Sequence, residues 1–204
     1  ALSHETSMFC LELARAAKKY GTRISFDLNH RASFWKNREE ELHAVFAEIA
    51  SISDVLIGNE EDFQLCLNIK GPEAGGKDIA STIDNFKEMI NRVKAAYPNT
   101  SVFANTLRQV ISVNTHLWGA IVLEGNTWHV EEPREIHVLD RIGGGDGFVG
   151  GLLYAILKDW EPSKWVKFAW ATGAMATTFL TDYAQPADEE QVWSIYEGNA
   201  RVRR

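Results

Sequence analysis

Three consecutive glycines, Gly143, Gly144 and Gly145, run directly into Asp146 and then into an apolar stretch that begins at Phe148. Glycine tolerates positive φ and lets other atoms approach the backbone closely. Where such a turn opens a helix, the leading amides lack intrahelical acceptors and face the positive end of the dipole. They suit a phosphate or the negative charge of a transition state. A carboxylate beside that anion site can take the proton of an attacking hydroxyl. The segment is not a dinucleotide fingerprint, which needs glycine where Phe148 stands, and it is not a Walker A loop, because no Gly-Lys-Ser/Thr follows. The competing structural account is a glycine-rich turn in which Asp146 caps the helix.

Other polar groups stand at the ends of apolar, strand-like runs. Asn59-Glu60-Glu61-Asp62 follows the run 54–58, where oxygen donors could organise Mg²⁺ around nucleotide phosphates, directly or through water; such a run also makes a solvated helix start. Asp27-Leu28-Asn29-His30-Arg31 closes the run 23–28, and an arginine there can grip a carboxylate bidentately or serve in a surface ion pair. Thr106-Leu107-Arg108 closes the run 102–106, with Arg108 either meeting phosphate or pairing with an acid.

The elements that must carry these groups alternate between helix and strand signals. A helical period through Leu11, Ala14 and Ala17 stops at Gly21, ahead of the strand 23–28. A second helix is expected over 39–51, with Leu42, Val45, Phe46 and Ile49 on one face, and then the strand 54–58. A third helix spans 79–96 and ends before Pro98; a short strand 102–106 follows, and Leu107-Arg108 begins the next turn. Residues 120–130 read as a hairpin about Glu124-Gly125-Asn126, and two helices follow, 148–157 and 163–180, with Pro162 in a first turn. This pattern predicts one α/β unit with a mostly parallel sheet covered on both faces, and ligands at the carboxyl ends of the strands.

Composition bounds the class. The 204 residues are 45% hydrophobic, enough for one substantial core, and no apolar stretch reaches the length of a membrane span. A net charge of −7, with only Arg201-Val202-Arg203-Arg204 basic, argues against nucleic acid. Cys10 and Cys66 lack metal-ligand spacing and are expected as buried free thiols in a reducing cytoplasm; residues 1–5 carry no signal-peptide pattern. The six histidines form no zinc motif. Trp160, Trp165, Trp170 and Trp193 are expected in core or interface, and homo-oligomerisation is left open.

Asp140 through Phe148 resembles the carboxyl-terminal signature of the ribokinase-like, or PfkB-type, carbohydrate kinases, Asp-x-x-Gly-Ala/Gly-Gly-Asp-x-Phe. Within that family, Asp140-Arg141-Ile142-Gly143-Gly144-Gly145-Asp146, Thr106-Leu107-Arg108 with Val110 and Ser112, and the terminal Gly198-Asn199-Ala200-Arg201-Val202 are most similar to 2-keto-3-deoxygluconate kinases. The resemblance implies a three-layer α/β/α sandwich and an ATP- and Mg²⁺-dependent enzyme acting on a small sugar acid. It implies Asp146 as the base, and the amides of Gly143, Gly144 and Gly145 as the anion hole. Asn59 and Asp62 would serve the metal and nucleotide, with Asp62 where the family usually has Glu. Arg31 would contact the substrate's acid group, Asp27 and Asn29 would shape its pocket, and Thr106, Leu107 and Arg108 would approach the nucleotide. Ala171, Thr172, Gly173 and Ala174, a run of small residues that helix packing also explains, would lie near adenine. Gly147 and Thr181-Asp182 depart from the Ser and Gly-Asp usual in close relatives. The likeness is to the later part of a family member; the first strands, a glycine-rich sugar motif and a β lid are not recognisable here.

Overall fold

The Ser3 hydroxyl accepts the Thr6 amide and starts α1 (His4–Lys19), which turns Leu11 and Ala14 inward and ends ahead of Gly21, at φ +74°. This is the first element of a computed structural model that describes residues 1–73, 79–181 and 183–198. Asp182 and residues 199–204, which hold the basic tail and most of the terminal motif, lie outside the described residues.

After α1 come β1 (Ser25–Asp27), the short α2 (Ala32–Trp35), α3 (Glu39–Ile52), β2 (Val55–Gly58) and α4 (Glu60–Leu67). A 3₁₀ turn (Ile79–Thr82) leads into α5 (Ile83–Ala96). Then follow β3 (Val102–Ser112), β4 (Thr115–Glu124), β5 (Thr127–His137), α6 (Gly144–Leu157), α7 (Pro162–Ala176) and α8 (Glu189–Tyr196). The sheet order is β1-β2-β3-β4-β5, and the first three strands are parallel, with Phe26 opposite Leu56 and Leu56 opposite Phe103. β4 and β5 are joined to their predecessors by two-residue turns, which only antiparallel neighbours permit. The α/β class expected from the sequence is the one observed.

Contacts divide the chain into two units. The first holds α1 through α5, β1, β2 and β3 as far as Asn105, with residues 123–127. Its core packs Leu11 and Ala14 of α1 against Val45 and Ile49 of α3, with Phe26 alongside. Phe63, Leu56, Met89 and Val93 are also fully enclosed there. The second unit holds β3 from Thr106, β4 to Val122, β5 from Trp128, and α6 to α8. Here Trp118 of β4 and Trp170 of α7 each donate an indole N–H to the other's carbonyl, at 3.2 and 2.6 Å. The Arg134 guanidinium lies between the rings of Trp170 and Tyr196, 3.8 and 4.6 Å from their centroids. It also pairs with Glu131, which in turn accepts the Tyr196 hydroxyl. That clamp fixes α8 to β5 and α7. Trp160 and Trp193 meet around Phe168, and Trp165 donates its indole N–H to the Trp160 carbonyl at 2.6 Å.

Three expectations are corrected. β3 does not turn at Leu107-Arg108 but continues to Ser112, because Leu107 is fully buried and Gln109 accepts the Ile79 amide. Cys10 is exposed, since the buried stripe of α1 passes through Ser7, Leu11 and Ala14 instead; Cys66 is buried as expected, and burial pushes its thiol pKa up. Finally, α6 begins at Gly144, and α7 stops at Ala176 rather than running to 180.

Candidate active site

The segment before α6 is anchored by its backbone. Leu139 and Asp140 donate amides to the Thr177 carbonyl, Val138 donates to Asn114, and Asp140 accepts the Ile142 amide through Oδ1. Gly143 then adopts φ +84°, ψ −13°, a left-handed conformation that a Cβ would strain, and is itself the N-cap. The amide of Gly147 bonds the Gly143 carbonyl at 2.7 Å, so the amides of Gly144, Gly145 and Asp146 precede the first intrahelical bond. Gly145 and Asp146 are exposed, and no atom lies within 4 Å of where a Gly145 Cβ would be. Asp146 is the third helical residue, not the cap, and its carboxylate forms no hydrogen bond among the described residues. An exposed carboxylate beside unpaired amides at a helix start is chemically an anion site with a proton acceptor next to it.

The turn is held against α7 by direct backbone contact. A Cβ at Gly147 would sit 2.8 Å from the Thr172 carbonyl oxygen and 2.9 Å from the Ala176 Cβ. The serine usual at this place in the resembling family could enter only by moving α7. We predict that Gly147→Ser costs about 1–3 kcal/mol, read as a lower midpoint in urea unfolding; an unchanged midpoint would contradict this packing.

A cavity of about 440 Å³ opens beside Asp146, within the range of small-molecule sites. Gly150, Gly151 and Tyr154 of α6, Thr172 and Met175 of α7 and Val192 of α8 line it. The expected adenine residues fall differently: Ala171 is fully buried, and Gly173 lies under Trp118 and beside Gly144, so neither lines the cavity. Of the run expected near adenine, Thr172 does line the cavity; Tyr154 has no signal in the sequence, because only the pairing of the two helices shows which faces meet empty space.

Thr106, Leu107 and Arg108 lie within β3, Leu107 as a core residue and Arg108 exposed. Burial of His116, followed by the charges of Arg108 and Arg141, pushes that imidazole's pKa down. The two arginines therefore act on one neighbourhood. Arg141, exposed and two residues before Gly143, had only its place in the motif to signal it.

In the first unit, the strand ends of β1 and β2 carry the remaining groups. Asn29 takes φ +42° and donates to Asp27 at 3.2 Å; Arg31 is exposed and donates to the His30 carbonyl. Asn59 caps α4, accepting the Asp62 amide at 2.9 Å, while Asp62 Oδ2 accepts the Asn59 amide at 2.8 Å. The other Asp62 oxygen accepts the His30 amide at 2.8 Å. Burial raises the Asp62 pKa against the opposing pull of those two amides. Asp62 is only 7% exposed, and it is this burial, with each carboxylate oxygen also holding an N–H donor, that sets it against direct magnesium ligation. No group of three His, Cys, Asp or Glu among the described residues is placed to hold a metal. No helix among them is long and apolar enough to cross a membrane.

A profile for the pfkB family carbohydrate kinases matches residues 1–182, and the chain belongs to that family. It is 29% identical over 190 residues to the 5-dehydro-2-deoxygluconokinase of Clostridium tetani, covering 92% of this chain and 49% of that one. It is 24% identical over 196 residues to the 2-dehydro-3-deoxygalactonokinase of Haloferax volcanii, covering 95% and 53%. The crystal structure of 2-dehydro-3-deoxygluconokinase from Thermotoga maritima superposes with a TM-score of 0.84 at 28% identity, covering 96% of this chain and 56% of that one. The fold is thus the ribokinase-like α/β fold. The chain spans about half the length of the curated relatives it matches.

Proposed function

We propose that residues 1–204 form the carboxyl-terminal, ATP-binding and catalytic part of a sugar-acid kinase. It transfers the γ-phosphoryl group of ATP, bound as its Mg²⁺ complex, to a hydroxyl of 2-keto-3-deoxygluconate or a close dehydro-deoxy aldonate. The observation that carries this reading is Asp146, an exposed carboxylate in the first turn of a helix that the left-handed Gly143 opens. The names of the relatives support the substrate class, since all three denote kinases of dehydro-deoxy aldonic acids.

As the substrate oxygen forms its bond to the γ-phosphorus, Asp146 takes the hydroxyl proton and the bond to the β-phosphate oxygen breaks, leaving ADP. The amides of Gly143, Gly144 and Gly145 face the charge that gathers on the transferred group, and Arg108 and Arg141 add positive potential. The cavity lined by Tyr154 and Thr172 takes part of the nucleotide. Arg31 receives the carboxylate of the acid, with Asp27 and Asn29 shaping the loop that presents it.

The test is a sugar panel assayed by ADP release, with calorimetry for binding. Arg31→Ala is expected to weaken the acid substrates about 10- to 100-fold, the loss of a charge-assisted hydrogen bond, and to leave neutral sugars unchanged. Equal turnover of fructose, ribose and the sugar acids would instead identify another sugar kinase of the family. Nucleotide binding with no turnover of any sugar would identify a silent nucleotide-binding module.

A further inference from the structure

β1 and β2 run side by side up to Asp27 and Ile57, and the last ladder-like bond is Leu28 N–H to the Ile57 carbonyl at 2.9 Å. Beyond it the chains part, one into the segment Asn29–Arg31 and the other into α4. Two features leave the first segment in need of support. Asn29 holds a left-handed backbone, and Arg31 is exposed, its guanidinium donating to the neighbouring carbonyl of His30. One side chain spans the gap. Asp62, on the first turn of α4, reaches across to the His30 amide. Gly58 leaves the room for it: a Cβ there would lie 3.0 Å from the Asp62 Cβ and 3.4 Å from Leu28 Cδ1. The other oxygen of Asp62 returns to the Asn59 amide, so the carboxylate is fixed from both sides.

We infer that Asp62 is a positioning residue for the carboxylate-binding loop and not a metal ligand, its side chain clipping His30, and with it Arg31, to the start of α4. The inference rests on the sugar-acid reading of Arg31. The capping box alone would need only one carboxylate oxygen. The second oxygen is spent on a residue 32 positions earlier in the chain, next to the arginine proposed to hold the substrate. A buried carboxylate with both oxygens on backbone donors is built to hold the backbone in place.

Amide hydrogen exchange and calorimetry on the 204-residue chain decide the matter. In the unsubstituted chain the His30 amide is expected to be protected at least about tenfold relative to an open loop amide; exchange at the unprotected rate would overturn the clip even if every variant failed to fold. Asp62→Asn should remove about tenfold of that protection, the worth of one hydrogen bond to a charged acceptor. It should weaken binding of 2-keto-3-deoxygluconate about tenfold, and leave MgATP affinity and its Mg²⁺ dependence unchanged. Asn59→Ala removes the cap but keeps the bond to His30, so His30 protection should persist. Equal loss of protection in both variants would mean damage to the helix start and would overturn the inference. So would a shift in Mg²⁺ dependence with sugar-acid binding intact. If the unsubstituted chain binds no sugar acid, the substrate reading fails instead, and His30 exchange alone decides the clip.

Discussion

Replacing Asp146 with asparagine is expected to slow phosphoryl transfer by about 10²- to 10⁴-fold while leaving MgATP affinity within about twofold. The substitution keeps the size and helix position of the side chain and removes only its capacity to take a proton. Asp146 has no hydrogen bond among the described residues to reorganise, and it sits at the third helical position rather than at the cap, so the loss should not propagate into the fold. Were Asp146 merely a helix-start carboxylate, its removal would cost a few tenths to about 1 kcal/mol of stability and no specific activity. Single-turnover transfer, measured beside thermal unfolding, separates these outcomes. Transfer at near-normal rate in a folded Asp146→Asn protein would remove the base assignment.

The second large effect is expected two residues on. Phe148 is completely buried and is the first large apolar side chain of α6; its Cβ lies 3.2 Å from the place a Gly173 Cβ would occupy. Phe148→Ala leaves a cavity that neighbouring backbone cannot close, because α6 and α7 already touch. A loss of about 3–5 kcal/mol follows, a large share of the roughly 5–15 kcal/mol that stabilises an ordinary domain. Urea unfolding should show a much lower midpoint at an unchanged slope. A loss below about 1 kcal/mol would mean that the helix is not seated as described. Two residues apart on one helix, Phe148 faces the core and Asp146 faces solvent.

Much of this arrangement was legible in the residues. The periods of α1, α3 and α5 are marked by regular apolar spacing and by Gly21 and Pro98, and the glycine turn advertises its own backbone needs. The extension of β3 was not legible, because Arg108 and Gln109 interrupt the apolar run and the following Val110 and Ile111 are exposed near the hairpin tip. The start of α6 is hidden in the sequence, since glycines have poor helix propensity; Gly144 and Gly145 nonetheless belong to its first turn, ahead of a strongly apolar helix. Asn59 to Asp62 announced a helix start and a polar site at once, and composition alone cannot divide those roles. What divides them is the bond from His30, a contact between strand ends that no local pattern records.

The backbone contact between α6 and α7 at Gly147 has one more consequence. Where helices are separated by side chains, their spacing drifts as those side chains are exchanged, and an active group mounted on one of them drifts too. Here the spacing at the Asp146 turn is set by the absence of a side chain at Gly147, whose Cβ would meet the Thr172 carbonyl and the Ala176 Cβ. The register of the proposed proton acceptor thus hangs on the small residues Gly147 and Ala176. For a proton acceptor a displacement of about 1 Å can cost about a hundredfold in rate, so under the proposed role a change at either small residue would reach the chemistry through the helix spacing.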